Sequence, residues 1–122
     1  MNVILIFLGG GIGSVLRYLA NITMRANTGN DFPYGILAIN IIGSFLIGLT
    51  YSLIKKFEFA SADHIGSFVM VGILGGFTTF SAFSLDVVTM INDGKAPLAF
   101  IYIAASVIFS LIACYLGLLI AR

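Results

Sequence analysis

One apolar run decides the fold, and its centre reads Gly75-Gly76-Phe77-Thr78-Thr79-Phe80-Ser81-Ala82-Phe83-Ser84-Leu85-Asp86. The run covers residues 65–91, which is long enough for a helix to cross a bilayer, and residue 78 is its midpoint. Glycine pairs, β-branched Thr and hydroxyl side chains all weaken a helix. We therefore predict a transmembrane helix that is broken at the bilayer midplane.

Three further runs have the length and apolar character of membrane-crossing helices. They cover residues 3–24, 34–54 and 98–121, and Arg17 is the one charged side chain among them. The connecting stretches carry Gly, Pro, Asn and charged residues, which are typical of turns. The sequence predicts an all-α membrane protein in which residues 1–122 form a single four-helix transmembrane domain.

The composition indicates that a bilayer surrounds most of this chain. Hydrophobic residues make up 60% of it and charged residues 9%, with a mean hydropathy of +1.12, whereas soluble domains carry about 25% charged residues. These values exclude a soluble enzyme and a disordered tail, and a net charge of +1 without a basic run excludes a nucleic-acid-binding protein. The lone Cys114 excludes an intrachain disulfide, and His64 has no second ligand at zinc spacing.

Positive residues are balanced between the two sides of the membrane. Four crossings place three of them on one side and three on the other: Lys55, Lys56 and Arg122 against Arg17, Arg25 and Lys95. Because an excess of Lys and Arg normally sets the orientation, this balance predicts insertion in both orientations. Insertion in one orientation is the alternative, with Arg17 too deep to contribute. Four short helices enclose little space, so the expected unit is an antiparallel homodimer with its two-fold axis in the membrane plane.

A helix that breaks at the midplane needs partners for its backbone carbonyls. Irregular backbone is tolerated at that depth only where it is buried in protein, faces water or binds an ion. In an antiparallel dimer the two breaks meet on the two-fold axis, where four carbonyl oxygens suit a small hard cation such as Na⁺. The alternative is a simple kink whose carbonyls are satisfied by Thr hydroxyls.

Aromatic and hydroxyl side chains recur at helical spacing. Phe80 and Phe83 share one face of the third segment, and Ser81 and Ser84 share the next. Such rings usually pack or face lipid, but ring edges are electropositive, so edge-on rings also suit the path of an anion. The fourth segment carries a stripe with a spacing of four residues: Tyr102, Ser106, Ser110 and Cys114. Such a stripe either joins helices or offers weak donors to a dehydrating anion.

Three polar residues lie deep in the apolar segments and are candidates for function. Asn40 adds an amide with two N–H donors to the second segment. Arg17 and Asp86 lie toward the same face of the membrane and differ in depth by about 7.5 Å at the helical rise. They either form an ion pair, or Arg17 lies in a water-filled vestibule and attracts anions.

Together these residues resemble the Fluc (CrcB-type) fluoride channels, over essentially the whole chain. The motifs that carry the resemblance are Gly9-Gly10-x-x-Gly13 followed by Arg17-Tyr18, Asn40-x-x-Gly43-Ser44, and the stretch 75–86 quoted above. The last of these is long and specific, and we do not expect it by chance in another four-helix membrane protein.

The resemblance implies a dual-topology antiparallel homodimer with two pores in the inner membrane of a prokaryotic cell. Such a protein is no enzyme and exports fluoride passively, and its partners are the fluoride ion, a second copy of itself and the lipid bilayer. The resemblance implies that main-chain oxygens of Gly75 and Thr78 hold a central structural Na⁺. Arg17 and Asp86 are the candidates for a vestibule, which their charge and depth suggest. The resemblance places Asn40, Phe80 and Phe83 in the pore and likens Tyr102, Ser106 and Ser110 to the family's polar track on the fourth helix. We add Thr79, Ser81 and Ser84 as further candidates for the pore.

The chain departs from the family pattern at three positions. Ala82 stands where Thr is common, Asp86 where Glu is common, and Cys114 where a hydroxyl is typical. Two other functions stay open. A small multidrug-resistance-type transporter requires a membrane-embedded Glu in the first segment, where this chain has Arg17. A non-transporting four-helix membrane protein would need neither a midplane break nor a hydroxyl stripe.

Overall fold

The computed structural model describes residues 1–122 and is all helical. Five helices follow one another: α1 (Asn2–Thr28), α2 (Tyr34–Phe57), α3 (62–77), α4 (Phe80–Asn92) and α5 (Ala96–Ile120). The third and fourth follow each other directly and together form one of four stretches that are long and apolar enough to cross a membrane. The prediction of an all-α chain with four such segments is confirmed.

The first two helices extend beyond the apolar runs that predicted them. α1 continues past Met24 to Thr28, and α2 continues past Ile54 to Phe57. The end of α1 lies at Gly29, whose φ of 79° is a conformation that glycine adopts without steric cost. An apolar run therefore marks the part of a helix that suits hydrocarbon, whereas the helix itself ends where the backbone turns.

The helical geometry of α3 changes along its length. Ala62–Ile65 and Gly75–Phe77 are α-helical, and Gly66–Leu74 between them form a π-helix. The sequence reasoning did not predict this wider helix. Short π-helical turns inside α-helices are often found at functional positions, and this one ends about one turn before the boundary between α3 and α4.

Two helix pairs provide most of the packing, α2 with α5 and α1 with α3. Glycines bring the backbones together in both pairs. A Cβ atom on Gly13 of α1 would collide with the main-chain oxygen of Ile73, and one on Gly48 of α2 would collide with that of Cys114. Small residues at such positions let helices approach closely in lipid, where no hydrophobic force drives them together.

A small core lies where α2 begins, α4 ends and α5 begins. Its buried residues are Ile36, Ile39, Met90, Ala99 and Tyr102. Many other large apolar side chains are exposed, including Phe7 and Phe80, which are 78% and 79% exposed. Because soluble proteins rarely leave so large an apolar surface in water, these side chains are available to lipid or to another protein surface.

Candidate functional site

Two extended residues separate α3 from α4. Thr78 has φ −80° and ψ 157°, and Thr79 has φ −153° and ψ 122°. The hydroxyl and the N–H of Thr78 both donate to the carbonyl of Leu74, at 2.9 and 3.0 Å. The hydroxyl of Thr79 accepts the N–H of Ala82 at 3.1 Å and so caps the first turn of α4. Both threonines thus use their side chains to close the helix ends on either side.

Asn40 of α2 is bound to this extended backbone in both directions. Its Nδ2 donates to the carbonyl of Thr79 at 3.0 Å, and its Oδ1 accepts the N–H of Thr79 at 2.9 Å. One side chain therefore replaces both hydrogen bonds that a continuous helix would have given Thr79. The amide keeps one N–H that these bonds do not use.

Because the N–H of Thr79 donates to Asn40, the carbonyl of Gly75, one turn earlier, lacks its helical donor. In a continuous helix the N–H of Thr79 would donate to the carbonyl of Gly75, but here it donates to Asn40. The carbonyl of Thr78 accepts no main-chain donor and receives only Nη1 of Arg17, at 3.4 Å. These are the two oxygens to which the resemblance to fluoride channels assigns the central Na⁺, and main-chain carbonyls are ligands that a hard cation accepts. The chain has no group of His, Cys, Asp and Glu side chains that could hold a metal instead.

A cavity of about 370 Å³ opens beside the extended residues. No charged side chain lines it, and six of the predicted pore residues do: Asn40, Thr79, Phe80, Phe83, Ser106 and Ser110. Gly75 and Thr78 also line it, together with Gly43 and Ser44. Ser44 belongs to the motif Asn40-x-x-Gly43-Ser44 and was not predicted to line the pore, although its spacing of four from Asn40 places both residues on one helix face.

Two serines on the wall of this cavity have no hydrogen-bond partner. The hydroxyls of Ser106 and Ser110 are buried and unsatisfied. Other hydroxyls in the same chain bond to the carbonyl four residues earlier, as Ser84 does with Phe80 at 2.9 Å. A buried hydroxyl without a partner is costly, and the single chain supplies no acceptor or donor to either of these two.

The two candidate aromatic rings lie side by side at the cavity. The ring centroids of Phe80 and Phe83 are 5.5 Å apart with their planes inclined at 46°. The ring of Phe83 also meets Tyr102, at 5.1 Å and 56°. Both pairs are tilted, so neither is stacked face to face. The edge of an aromatic ring is its electropositive part.

Three predicted pore residues do not line this cavity. Ser81 lies with its hydroxyl 3.3 Å from that of Thr79, in a separate groove of about 410 Å³ that Arg17 also lines. The hydroxyl of Ser84 donates to its own helix. Tyr102 is buried, and its hydroxyl donates to Oδ2 of Asp86 at 3.0 Å. Helical spacing placed these side chains on suitable faces but gave no information on their local hydrogen bonds.

Arg17 and Asp86 do not form an ion pair, which was one of the two alternatives left open by the sequence. Arg17 donates to the extended backbone, whereas Asp86 accepts from Tyr102. Asp86 lines a cavity of about 430 Å³ beneath the α1–α2 linker, together with the charged residues Arg25, Asp31, Asp93 and Lys95. Arg25 was not assigned a role from the sequence, although its position eight residues after Arg17 places both near one face of α1.

The fold and the cavity define a class of protein: a four-crossing membrane protein with an uncharged, partly hydroxyl-lined cavity beside an interrupted helix. Residues 4–118 match the family model described as CrcB-like protein, Camphor Resistance (CrcB). The chain belongs to this family.

Relatives of the chain are bacterial proteins that carry the name fluoride-specific ion channel FluC. The one from Agrobacterium fabrum is 45% identical over all of this chain and 97% of its own length. The one from Mesorhizobium japonicum is 45% identical over 99% of this chain and 96% of its own, and that from Parabacteroides distasonis 38% over 100% and 94%. Ion channels are not enzymes, and four membrane-crossing helices together with bacterial relatives identify a multi-pass protein of the inner membrane.

Proposed function

We propose that this chain forms a fluoride-selective channel that lets F⁻ leave the cell down its electrochemical gradient. The observation that carries the proposal is the pair of buried, unpartnered hydroxyls of Ser106 and Ser110, two residues that line a cavity without a charged side chain. The names of the relatives support the same ion. Free hydroxyl donors are groups that can replace the water around a small anion.

Selectivity follows from how strongly each halide holds its water. Fluoride is small and strongly hydrated, so a path must offer donors at short range. Ser106 and Ser110 offer O–H groups one turn apart, Asn40 offers its unused N–H, and Phe80 and Phe83 offer ring edges. None of these groups carries a full positive charge, so the ion is released as readily as it is bound. Larger halides fit such a narrow path poorly.

The driving force needs no energy source within the protein. Neutral HF crosses membranes and ionises inside the cell, where the released F⁻ accumulates. An inside-negative potential then drives the anion outward with about 2.3 kcal/mol per 100 mV. The four membrane-crossing stretches contain no Glu and two Asp residues. Asp63 lies at the start of one stretch and accepts from Asn2, and Asp86 is bound to Tyr102. The proposal therefore involves no proton relay.

The functional unit in this proposal is an antiparallel homodimer with two pores. Phe80 lines the cavity yet is 79% exposed in the single chain, so a second copy would complete the wall at this point. The equal numbers of Lys and Arg on the two sides of the membrane support insertion in both orientations. The two-fold axis would then bring the extended residues of both copies together.

A central Na⁺ fits the residues at that axis. The carbonyl of Gly75 lacks its helical donor, and that of Thr78 has only a long bond to Arg17. Two copies would present four such oxygens, and a bound cation would neutralise their converging dipoles and tie the two chains together. In this proposal Thr79 shapes the break and caps α4, while Ser81 and Arg17 border the approach to it.

Efflux from proteoliposomes tests the channel function. Vesicles loaded with KF or KCl and given a K⁺ ionophore should release F⁻ rapidly and retain Cl⁻. Phe80→Ile should remove the ring edge and slow F⁻ release by about a hundredfold, which corresponds to about 3 kcal/mol at one point of the path. Because Phe80 is largely exposed, the variant should still fold.

The matched control is Phe100→Ile, since Phe100 is also exposed but lies outside the cavity. It should conduct like the unchanged protein. Comparable chloride efflux, or folded protein that releases no fluoride, would contradict the proposal.

A further inference from the structure

Tyr102 is the largest fully buried side chain of the molecule. Its ring lies 5.1 Å from that of Phe83 and meets the ring of Phe32 edge-on at 5.5 Å and 77°. The phenol is therefore held on two sides by aromatic contacts. One of these contacts is a ring that lines the proposed fluoride path, whereas Tyr102 itself does not line that cavity.

The hydroxyl of Tyr102 has one partner, the Oδ2 atom of Asp86, at 3.0 Å. Asp86 follows Phe83 by three residues on α4, so the two side chains lie on the same face of that helix. Phe83, Asp86 and Tyr102 thus form a closed triangle, in which α4 supplies two corners and α5 the third. A shift of the Tyr102 ring would displace the ring of Phe83.

We propose that Tyr102 and Asp86 are positioning residues that fix the angle of the Phe83 ring, and that the Tyr102 hydroxyl does not itself bind the anion. The inference rests on the proposed channel function. It divides the polar stripe of α5 into two parts: Tyr102 supports a ring, whereas Ser106 and Ser110 face the path with free hydroxyls.

Charge and ring chemistry both favour this assignment. A hydroxyl proton directed at a carboxylate is not available to a passing anion. A carboxylate beside an anion path repels the anion, so a role for Asp86 in positioning a neighbour explains its presence better than a role in binding. An aromatic ring attracts an anion with its edge and repels it with its face. The angle at which Phe83 is held therefore decides whether it helps or hinders fluoride, and a hydrogen-bonded Tyr ring holds that angle.

The initial rate of fluoride efflux distinguishes positioning from direct binding. Tyr102→Phe keeps the ring and removes its anchor, so we expect efflux to fall about tenfold. Asp86→Leu removes the acceptor and should cause the same loss, while Asp86→Asn keeps an acceptor oxygen and should restore most of the rate. If the Tyr102 hydroxyl bound the anion directly, Asp86→Leu would free this hydroxyl and leave fluoride efflux unchanged or faster.

The matched control for the loss of a phenol hydroxyl is Tyr115→Phe. Tyr115 is on the same helix, is 59% exposed and has no hydrogen-bond partner. This variant should conduct normally. In a Phe83→Met background, Tyr102→Phe should change the remaining rate less than about twofold, because the ring it positions is absent. Equal losses in both backgrounds would overturn the inference.

A readout that is independent of fluoride flux uses 4-fluorophenylalanine placed at position 83 by codon suppression. In the purified protein its aromatic ¹⁹F resonance should be single and narrow, and it should stay so in Tyr115→Phe. In Tyr102→Phe and Asp86→Leu it should broaden at least about twofold or split, since the ring then samples several angles. An unchanged resonance in both variants would overturn the inference while leaving the channel function intact. Absence of fluoride efflux from the unchanged protein would overturn both.

Discussion

A single amide decides the backbone path at the centre of the molecule. Asn40 gives to Thr79 both hydrogen bonds that a helix would otherwise supply, at 3.0 and 2.9 Å. The resemblance to fluoride channels predicted that Asn40 lies in the pore. In the structure, one of its N–H groups and its oxygen hold the backbone of Thr79 extended. The remaining N–H keeps the proposed contact with the anion open.

Asn40→Ala is expected to lower stability as well as flux. It leaves the N–H and the carbonyl of Thr79 without partners, and each unpaired group costs about 1–3 kcal/mol. The melting temperature of the detergent-purified protein should fall clearly, and fluoride efflux should be lost. Asn27→Ala is the matched control, because Asn27 makes a single exposed bond to Thr23. If Asn40→Ala loses efflux but melts normally, the amide acts as an anion donor alone.

Residue spacing predicted the position of some site residues and not of others. The period of four along the fourth segment predicted Ser106 and Ser110 on one helix face, and both line the same cavity, because regular helical geometry fixes relative direction. The same logic failed to show that Ser81 faces a different groove, or that Tyr102 is bound to Asp86. Such outcomes depend on local side-chain bonds and on packing between helices, which spacing within one segment does not report.

At the scale of the helices, apolar length predicted the four crossings but not the π-helix of Gly66–Leu74. The apolar composition of a segment predicts how much of it can cross the hydrocarbon core of a bilayer. A change from α-helix to π-helix depends on contacts with a neighbouring helix. Here that neighbour is α1, whose Gly9 and Gly13 lie against the π-helical backbone of α3. Glycine enrichment in the first segment was readable from the sequence, but the element that it packs on was not.

The contact between α1 and α3 leads to a prediction at Gly13. A methyl group there would collide with the carbonyl of Ile73, which belongs to rigid backbone, so Gly13→Ala should separate the two helices and destabilise the protein by about 2–3 kcal/mol. Gly11→Ala is the matched control, because a Cβ at Gly11 meets nothing within 4 Å and alanine favours a helix. Thermal melting of the two variants compares them directly. Equal stability would show that the helices do not meet as described.

The whole molecule has an apolar exterior and no charge bias, and this leads to a prediction about its orientation. Reporters fused to the C-terminus should appear on both sides of the membrane in one preparation, since Lys and Arg are equally divided between the two sides. Adding two Lys to one side of the chain should convert this mixture to a single orientation. A C-terminus found on one side only in the unchanged protein would contradict the antiparallel arrangement.

The proposed central cation predicts that the assembled dimer depends on Na⁺. Replacing NaCl by choline chloride at equal ionic strength should lower the melting temperature of the dimer, because four carbonyl oxygens would then face one another without a charge between them. Thr78→Ala should keep this dependence, since its main-chain oxygen remains. A dimer that melts at the same temperature in both salts would contradict the binding of Na⁺ to the carbonyls of Gly75 and Thr78.

Arg17 would lie close enough to the proposed cation to weaken its binding. Its Nη1 is 3.4 Å from the Thr78 oxygen, and a cation about 2.4 Å from the same oxygen lies no more than about 6 Å from the guanidinium. At an effective dielectric constant of about 20, two unit charges at that distance repel by about 3 kcal/mol, reduced by solvent because Arg17 is half-exposed.

Arg17→Gln keeps N–H donors for the carbonyl and removes the charge. It should therefore lower the Na⁺ concentration that half-stabilises the dimer by about tenfold, since a tenfold change in affinity needs about 1.4 kcal/mol. A higher requirement for Na⁺ would mean that Arg17 holds the carbonyl in place and that its charge is of minor importance.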